Sequence, residues 1–156
     1  MPTFPDSLVT EHLFDAHINL EPPESLGQTP FGTRAIFMVK DGVFEGPRLR
    51  GAVRPGGGDW FLTLANGVGE LDVRATFQTG DGALIFISYR GILDATPEVI
   101  GRALGGEDVP LSEFYFRTAP RFETGHEKYA WLNKLVCVGV GYFGPETVGY
   151  RIFAVK

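Results

Sequence analysis

Residues 69–91 read GELDVRATFQTGDGALIFISYRG, and this stretch decides the fold class. Apolar and polar side chains alternate from Leu71 to Phe77, which is the period of a β-strand with one buried face. A second run rich in β-forming residues begins at Ala83, and Gly80-Asp81-Gly82 supplies residues suited to a tight hairpin turn between the two runs. The stretch therefore predicts two adjacent antiparallel strands, Gly69–Thr79 and Ala83–Gly91.

The same signature recurs along most of the chain, where glycine and proline separate short apolar runs. Asp41-Gly42 predicts a further hairpin turn, and Thr96-Pro97-Glu98 carries the N-cap, first-turn proline and early acid of a helix that ends at Gly105. The remaining predicted strands are Leu8–Leu20, Thr33–Lys40, Phe44–Arg54, Asp59–Ala65, Glu113–Pro120, Ala130–Tyr142 and Thr147–Val155. Eight or nine strands with one short helix fit a barrel or a sandwich, and the consecutive hairpins favour an all-β, single antiparallel up-and-down β-barrel.

Length and charge limit the class of protein. A chain of 156 residues predicts one domain over residues 1–156, and a net charge of −5 argues against non-specific nucleic-acid binding. The chain opens without a basic segment followed by an apolar stretch, and no apolar run approaches the roughly 20 residues of a membrane helix. We therefore expect a soluble, cytoplasmic protein that binds neither nucleic acid nor membrane.

The sequence predicts no metal site and no cofactor. His12, His17 and His126 are far apart or on opposite strand faces, and Cys137 is alone in an apolar run, where we expect a buried thiol. No nucleophile elbow is present. The glycines of Pro55–Trp60 precede a strand rather than a helix, which argues against a phosphate loop and predicts a bend that aims Asp59 and Trp60.

Two predicted strand segments are apolar on both faces, namely Leu84–Tyr89 and Leu132–Val140. An antiparallel strand with two apolar faces needs a second partner besides the barrel interior, either the helix or another subunit. A homo-oligomer is therefore expected.

Candidate site residues cluster in the stretch Arg117–Asn133, which combines aromatic rings, arginines, a carboxylate and an amide. Aromatic walls with a few convergent polar groups are what a pocket for a flat organic acid requires. An aromatic core with solvated charges explains the same composition equally well.

Several motifs together resemble a bacterial and fungal family catalogued as a domain of unknown function. They are Gly32-Thr33-Arg34, Gly46-Pro47, Leu49-Arg50-Gly51, Pro55–Trp60, Leu71-Asp72-Val73-Arg74, Asp81-Gly82-Ala83 and Phe122–Asn133. The resemblance covers nearly the whole chain in order. It implies a small calycin-like barrel similar to allene oxide cyclase. It also implies cofactor-free lyase chemistry on aromatic acids from lignin breakdown, including a decarboxylation that opens a phenylcoumaran ring.

Carried over residue by residue, the resemblance marks a set of family-like positions: Arg34, Asp59, Trp60, Asp72, Arg74, Glu123, Tyr129, Trp131 and Asn133. An arginine suits a substrate carboxylate because its planar fork pairs with it bidentately, so Arg34, Arg74 or Arg117 is the expected contact. Trp60 and Trp131 are expected to sandwich the ring, with Glu123 and Asn133 as further substrate contacts. The catalytic candidates are Tyr129, Asp59 and Asp72, as proton donor or acceptor.

The leading hypothesis from the sequence is a cofactor-independent lyase, a decarboxylase with or without ring opening, or an isomerase. Its substrate is a small aromatic carboxylic acid in the barrel lumen. If the lumen is a polar-lined cavity, this hypothesis turns Asp72 and Arg74 inward and their apolar neighbours outward. The ordinary alternation, with apolar side chains inward and polar ones toward water, is the alternative. One alternative is a non-catalytic barrel that binds a small hydrophobic acid. The other is a structural, oligomer-forming protein, which predicts a lumen filled with side chains.

Overall fold

A computed structural model describes residues 1–156 of the protein. Ten β-strands dominate it: β1 (Thr10–Leu20), β2 (Glu24–Thr29), β3 (Gly32–Glu45), β4 (Arg50–Val53), β5 (Gly58–Thr63), β6 (Gly69–Thr79), β7 (Leu84–Asp94), β8 (Tyr115–Glu123), β9 (Cys137–Gly144) and β10 (Thr147–Val155). Helix α1 (Pro97–Leu104) follows β7, and 3-10 helices cover Leu111–Glu113 and Glu127–Lys134. None of these helices has the length and apolar character that a membrane crossing needs.

The strands close into an antiparallel barrel. Its order is β1-β10-β9-β8-β7-β6-β3, with β4 and β5 both inserted between β6 and β3. Pairing of β1 with β3, from Asp15–Glu45 to Leu20–Val39, completes the ring, while β2 adds to β3 outside it. Closure leaves few free strand edges. The predicted all-β antiparallel barrel is therefore confirmed.

Two local predictions are also confirmed. The β6–β7 hairpin pairs residue for residue from Gly69–Leu93 to Gln78–Leu84 around the predicted glycine turn. Helix α1 starts with Pro97, and the hydroxyl of its N-cap, Thr96, accepts the Val99 N–H at 3.3 Å.

The hairpin predicted at Asp41-Gly42 is wrong, because β3 runs straight through these residues. Gly42 pairs with Ile18 of β1 on one side and with Val53 of β4 on the other. A Cβ there would lie 2.5 Å from the carbonyl oxygen of His17, so the glycine permits close strand approach instead of a turn. The chain turns later, where the Gly46 N–H donates to the Leu49 carbonyl at 2.9 Å.

The strand predicted over Ala130–Tyr142 begins too early. Residues up to Lys134 are 3-10 helix, and β9 starts only at Cys137. The argument for two apolar strand faces therefore fails for this segment. On β7 the outward Leu84 and Phe86 remain 52% and 38% exposed in the protomer, so self-association through that surface stays a proposal.

The barrel interior divides into a filled half and an open half. Phe14 lies at the centre of the filled half, with ring centroids 5.6, 5.9 and 5.8 Å from Phe44, Phe77 and Phe122. The 3-10 helix Glu127–Lys134 lies at this end and contributes the fully buried Leu132. The other half encloses a cavity.

Candidate active site in the barrel lumen

The cavity has a volume of about 390 Å³ and is lined mainly by apolar side chains from the inner barrel surface. Its wall includes Val39 of β3, Val73 of β6 and Phe116 of β8. Its mouth lies between Ile100 and Leu104 of α1 and the β9–β10 turn, which contributes Glu146. Enclosed, mostly apolar cavities of roughly 300–1,000 Å³ are typical of small-molecule sites.

Asp59 is the single acidic side chain on the strands of the cavity wall. It follows a glycine turn in which Gly56 has a φ of +100°, and β5 begins directly afterwards at Gly58. Pairing between β5 and β6 is interrupted beyond Asp59–Val73 and resumes at Leu62–Glu70. The freed N–H of Asp72 donates to Asp59 Oδ1 at 3.0 Å. The glycine turn and this hydrogen bond fix the Asp59 carboxyl at the cavity.

The surroundings raise the pKa of Asp59 to about 7. Burial in the apolar wall is the largest cause, because it penalises the charged carboxylate. The hydrogen bond from the Asp72 N–H lowers the pKa, the negative charge of Asp72 raises it, and Arg34 lowers it. A carboxyl with this pKa can accept or release a proton near neutral pH.

Two tyrosines stand beside Asp59 on the same cavity wall. The rings of Tyr89 and Tyr150 meet edge to face with centroids 5.3 Å apart. Burial raises the pKa of both phenols, and the charge of Asp59 raises each of them further. The interaction of the two phenols with each other lowers the pKa of Tyr89 and raises that of Tyr150. Both hydroxyls therefore stay protonated at neutral pH, where they serve as hydrogen-bond donors.

Burial of Asp59 predicts a pH-dependent stability difference between the wild type and Asp59→Asn. The folded protein holds the Asp59 proton up to about pH 7, whereas an unfolded aspartate releases it near pH 3.9. The contribution of Asp59 to wild-type stability therefore falls as the pH rises between these values. The amide of Asp59→Asn never ionises. We expect the variant to gain at least about 1 kcal/mol over the wild type between about pH 4.5 and about pH 8, measured by urea unfolding. A stability difference between the two proteins that does not change with pH would contradict the burial of the Asp59 carboxyl.

The inward orientation predicted for Asp72 and Arg74 is wrong. Along β6 Leu71, Val73 and Ala75 are buried and line the cavity. Asp72 and Arg74 lie on the outer face, with 30% and 58% of their side chains exposed and 3.8 Å between the charged atoms. The ordinary strand alternation therefore holds, because an apolar wall lacks partners for a buried ion pair.

Outward placement of Arg74 predicts little effect of its removal. Exposed ion pairs contribute about 0–1 kcal/mol, so Arg74→Ala should change the free energy of unfolding by about 0.5 kcal/mol or less. It should also leave the binding of any ligand in the cavity unchanged. Urea unfolding and ligand titration of this variant test both points. A large loss of stability or of ligand affinity would indicate that Arg74 faces the lumen.

The other predicted carboxylate contacts do not line the cavity. Arg34 donates from Nη1 to the Trp60 carbonyl oxygen at 2.6 Å, and Arg117 donates from Nη1 to the Phe116 carbonyl oxygen at 2.9 Å. The ring of Trp60 lies 5.9 Å from the outward guanidinium of Arg74. The predicted pairing of an arginine with a substrate acid beside Trp60 has no counterpart inside the barrel.

The remaining predicted site residues lie at the filled end. Tyr129 donates to Asp81 in the β6–β7 turn at 3.0 Å, and Trp131 stacks against Arg48 with the guanidinium 3.7 Å from the ring centroid. Asn133 bonds the backbone of Thr124 through both its oxygen and its nitrogen, at 2.8 and 2.9 Å. Glu123 is exposed at the end of β8. Tyr129, Trp131 and Asn133 fasten the 3-10 helix to the barrel. None of the four residues lines the cavity.

Tyr89 and Tyr150 were missed as candidate residues. A signal for them exists, because strand alternation places Tyr89 on the same face as Ile85 and Ile87, and Tyr150 on the same face as Ile152. An inward tyrosine among apolar neighbours brings one polar atom into the lumen.

The fold and the cavity define a class of small closed antiparallel barrels. The lumen is filled at one end and holds a cavity at the other, and a carboxyl and two phenols lie on the cavity wall. A family model described as "Protein of unknown function (DUF3237)" matches residues 8–155, and the chain belongs to that family. The resemblance expected from the motifs is thereby confirmed at the level of the family.

Relatives with this fold occur in bacteria and fungi. The UPF0311 protein RPA1785 of Rhodopseudomonas palustris is 34% identical over 133 residues, covering 85% of this chain and 87% of that protein. Its crystal structure has a TM-score of 0.90 at 31% identity, over 97% of this chain and 100% of that one. PR-toxin biosynthesis cluster protein 7 of Penicillium roqueforti is 28% identical over 149 residues, covering 82% and 79%. An enzyme from Penicillium herquei, 22% identical with a TM-score of 0.73 over the full length of both chains, shares the fold.

Proposed function

We propose that the protein is a cofactor-independent lyase or isomerase that moves a proton on a small, largely aromatic molecule enclosed in the barrel lumen. One observation carries this proposal: a carboxyl with a pKa of about 7 stands on an apolar cavity wall beside two protonated phenols. Perturbed titratable groups that converge on one cavity are a mark of acid–base sites.

Each group has a distinct role in the proposed reaction. The ionised carboxylate of Asp59 takes a proton from a carbon or hydroxyl of the substrate. As electron density moves to a substrate oxygen, Tyr89 or Tyr150 donates a hydrogen bond to it, which stabilises the developing charge. The proton on Asp59 then returns to another substrate atom in an isomerisation, or to a leaving group in a lyase reaction.

The apolar wall supports this chemistry in two ways. It keeps the pKa of Asp59 close to the working pH, and it strengthens the hydrogen bonds of the two phenols by excluding water. The name of the Penicillium roqueforti relative, a biosynthesis cluster protein, is compatible with a catalytic role on a small organic molecule.

A model ketone tests the proposal without the natural substrate. 2-Tetralone is a neutral bicyclic ketone whose α-protons exchange with deuterium oxide, and proton NMR follows their loss. The protein should accelerate this exchange above the buffer rate, and the acceleration should increase as the pH rises through about 7, because the ionised Asp59 is the base. A bound ketone that exchanges at the buffer rate would contradict the proposal.

A non-catalytic binding barrel is the second candidate, favoured by the mostly apolar lining of the cavity. The same aromatic and aliphatic walls serve both functions. Incubation with a panel of aromatic molecules, followed by mass spectrometry, separates them. Tight binding with every ligand returned unaltered would support the binding barrel.

A further inference from the structure

The lining of the cavity has acidic side chains and no basic ones. Its lining includes three carboxyl groups, Asp59 on the wall and Glu21 and Glu146 at the mouth, and it includes no arginine, lysine or histidine. A ligand carboxylate inside it would lose its water without gaining a cation, and it would face the charge of Asp59.

Arg34, Arg74 and Arg102 contact groups outside the cavity lining. Arg34 bonds the Trp60 carbonyl, and Arg74 lies outside the barrel near Asp72. On α1, which borders the mouth, Arg102 bonds Glu107 and Glu113 at 2.7 and 2.6 Å. None of the three lines the cavity.

The turn at the mouth is built around one of these acids. Glu146 has a φ of +49° at the third position of the turn Gly144-Pro145-Glu146-Thr147. Such turns favour glycine or asparagine there, because the Cβ atom of other residues is strained at positive φ. A glutamate at this position places a negative charge at the cavity entrance at a conformational cost.

We propose that the substrate is an uncharged aromatic molecule with a hydroxyl or carbonyl oxygen at its buried end, and that the cavity excludes carboxylates. Tyr89 and Tyr150 can donate to such an oxygen, and Asp59 can accept from a hydroxyl. Aromatic rings of Phe37, Phe61 and Phe143 line the walls beside it. This inference rests on the proposed function, since it assigns the substrate class of the same cavity.

Two probes of equal ring size test the charge preference, 2-naphthol and 2-naphthoate. They are titrated calorimetrically at about pH 8, above the pKa of Asp59 and below that of an ordinary phenol. We expect 2-naphthol to bind at least about tenfold more tightly than 2-naphthoate. Equal or tighter binding of 2-naphthoate, or no binding of 2-naphthol, would overturn the inference.

A matched pair of variants locates the source of the preference. Asp59→Asn should strengthen 2-naphthoate binding about tenfold and change 2-naphthol binding much less, because it removes the opposing charge and keeps the shape. Asp94→Asn changes an exposed aspartate outside the cavity lining and should leave both affinities unchanged. An unchanged 2-naphthoate affinity in Asp59→Asn would contradict the inference.

The two proposals fail in different ways. A preference for 2-naphthol without any acceleration of 2-tetralone exchange would contradict the proposed function and leave the charge selectivity standing. Accelerated exchange with equal affinities for the two naphthalenes would contradict only the charge selectivity.

Discussion

Asp59→Asn is expected to lower the protein-catalysed rate of 2-tetralone exchange by about 10²–10⁴, the contribution of a well-placed general base. The amide oxygen of the variant can still accept the Asp72 N–H, which now meets Asp59 Oδ1 at 3.0 Å, so the local backbone is retained. What is lost is the basic carboxylate. Proton NMR in deuterium oxide at about pH 8 measures the effect, where the wild-type carboxyl is largely ionised.

Two controls accompany this variant. Asp94→Asn should exchange at the wild-type rate, because Asp94 is exposed and does not line the cavity. Tyr129→Phe should also retain the wild-type rate, since Tyr129 bonds Asp81 at the far end of the barrel. A rate in Asp59→Asn equal to that of the wild type would remove Asp59 from the reaction.

Phe14→Ala is expected to lower the free energy of unfolding by about 3–5 kcal/mol. Phe14 is 2% exposed and meets three other phenylalanine rings, so its truncation leaves a void that its neighbours cannot fill. Urea unfolding at constant pH measures the loss.

Phe31→Ala is the matched control for this core substitution. Phe31 is 77% exposed between β2 and β3, so the same chemical change should alter stability by about 0.5 kcal/mol or less. Phe14→Leu is the milder core variant, and it should retain 2-tetralone exchange because the filled half of the lumen is separate from the cavity. A loss of exchange in a folded Phe14→Leu protein would contradict that division.

The barrel could be predicted from sequence because its signals are local. Alternation from Leu71 to Phe77 and the glycine turn after Thr79 depend only on neighbouring residues, and both appear as predicted. The role of Gly42 could not be predicted, since it depends on two distant strands that pass on either side of it. The apolar run at Trp131 and Leu132 gives no period that separates a strand from a short helix.

The candidate site could be predicted only in part. The glycine bend pointed to Asp59, which the structure places on the cavity wall. The arginines and tryptophans were chosen for their chemistry with a carboxylate, but their positions depend on strand face and on distant partners such as the Trp60 carbonyl and Arg48. Asp59, Tyr89 and Tyr150 come from three separate strands, β5, β7 and β10. Their proximity becomes visible only when the barrel is closed.

A carbon-13 NMR titration of the Asp59 side-chain carboxyl tests the central claim most directly, with the resonance assigned through its absence in Asp59→Asn. The claim predicts a titration midpoint at about pH 7 that moves when 2-naphthol is added, because the carboxyl lies on the wall of the ligand cavity. A midpoint near pH 3.9, the ordinary value for an exposed aspartate, that is unaffected by 2-naphthol would contradict the account.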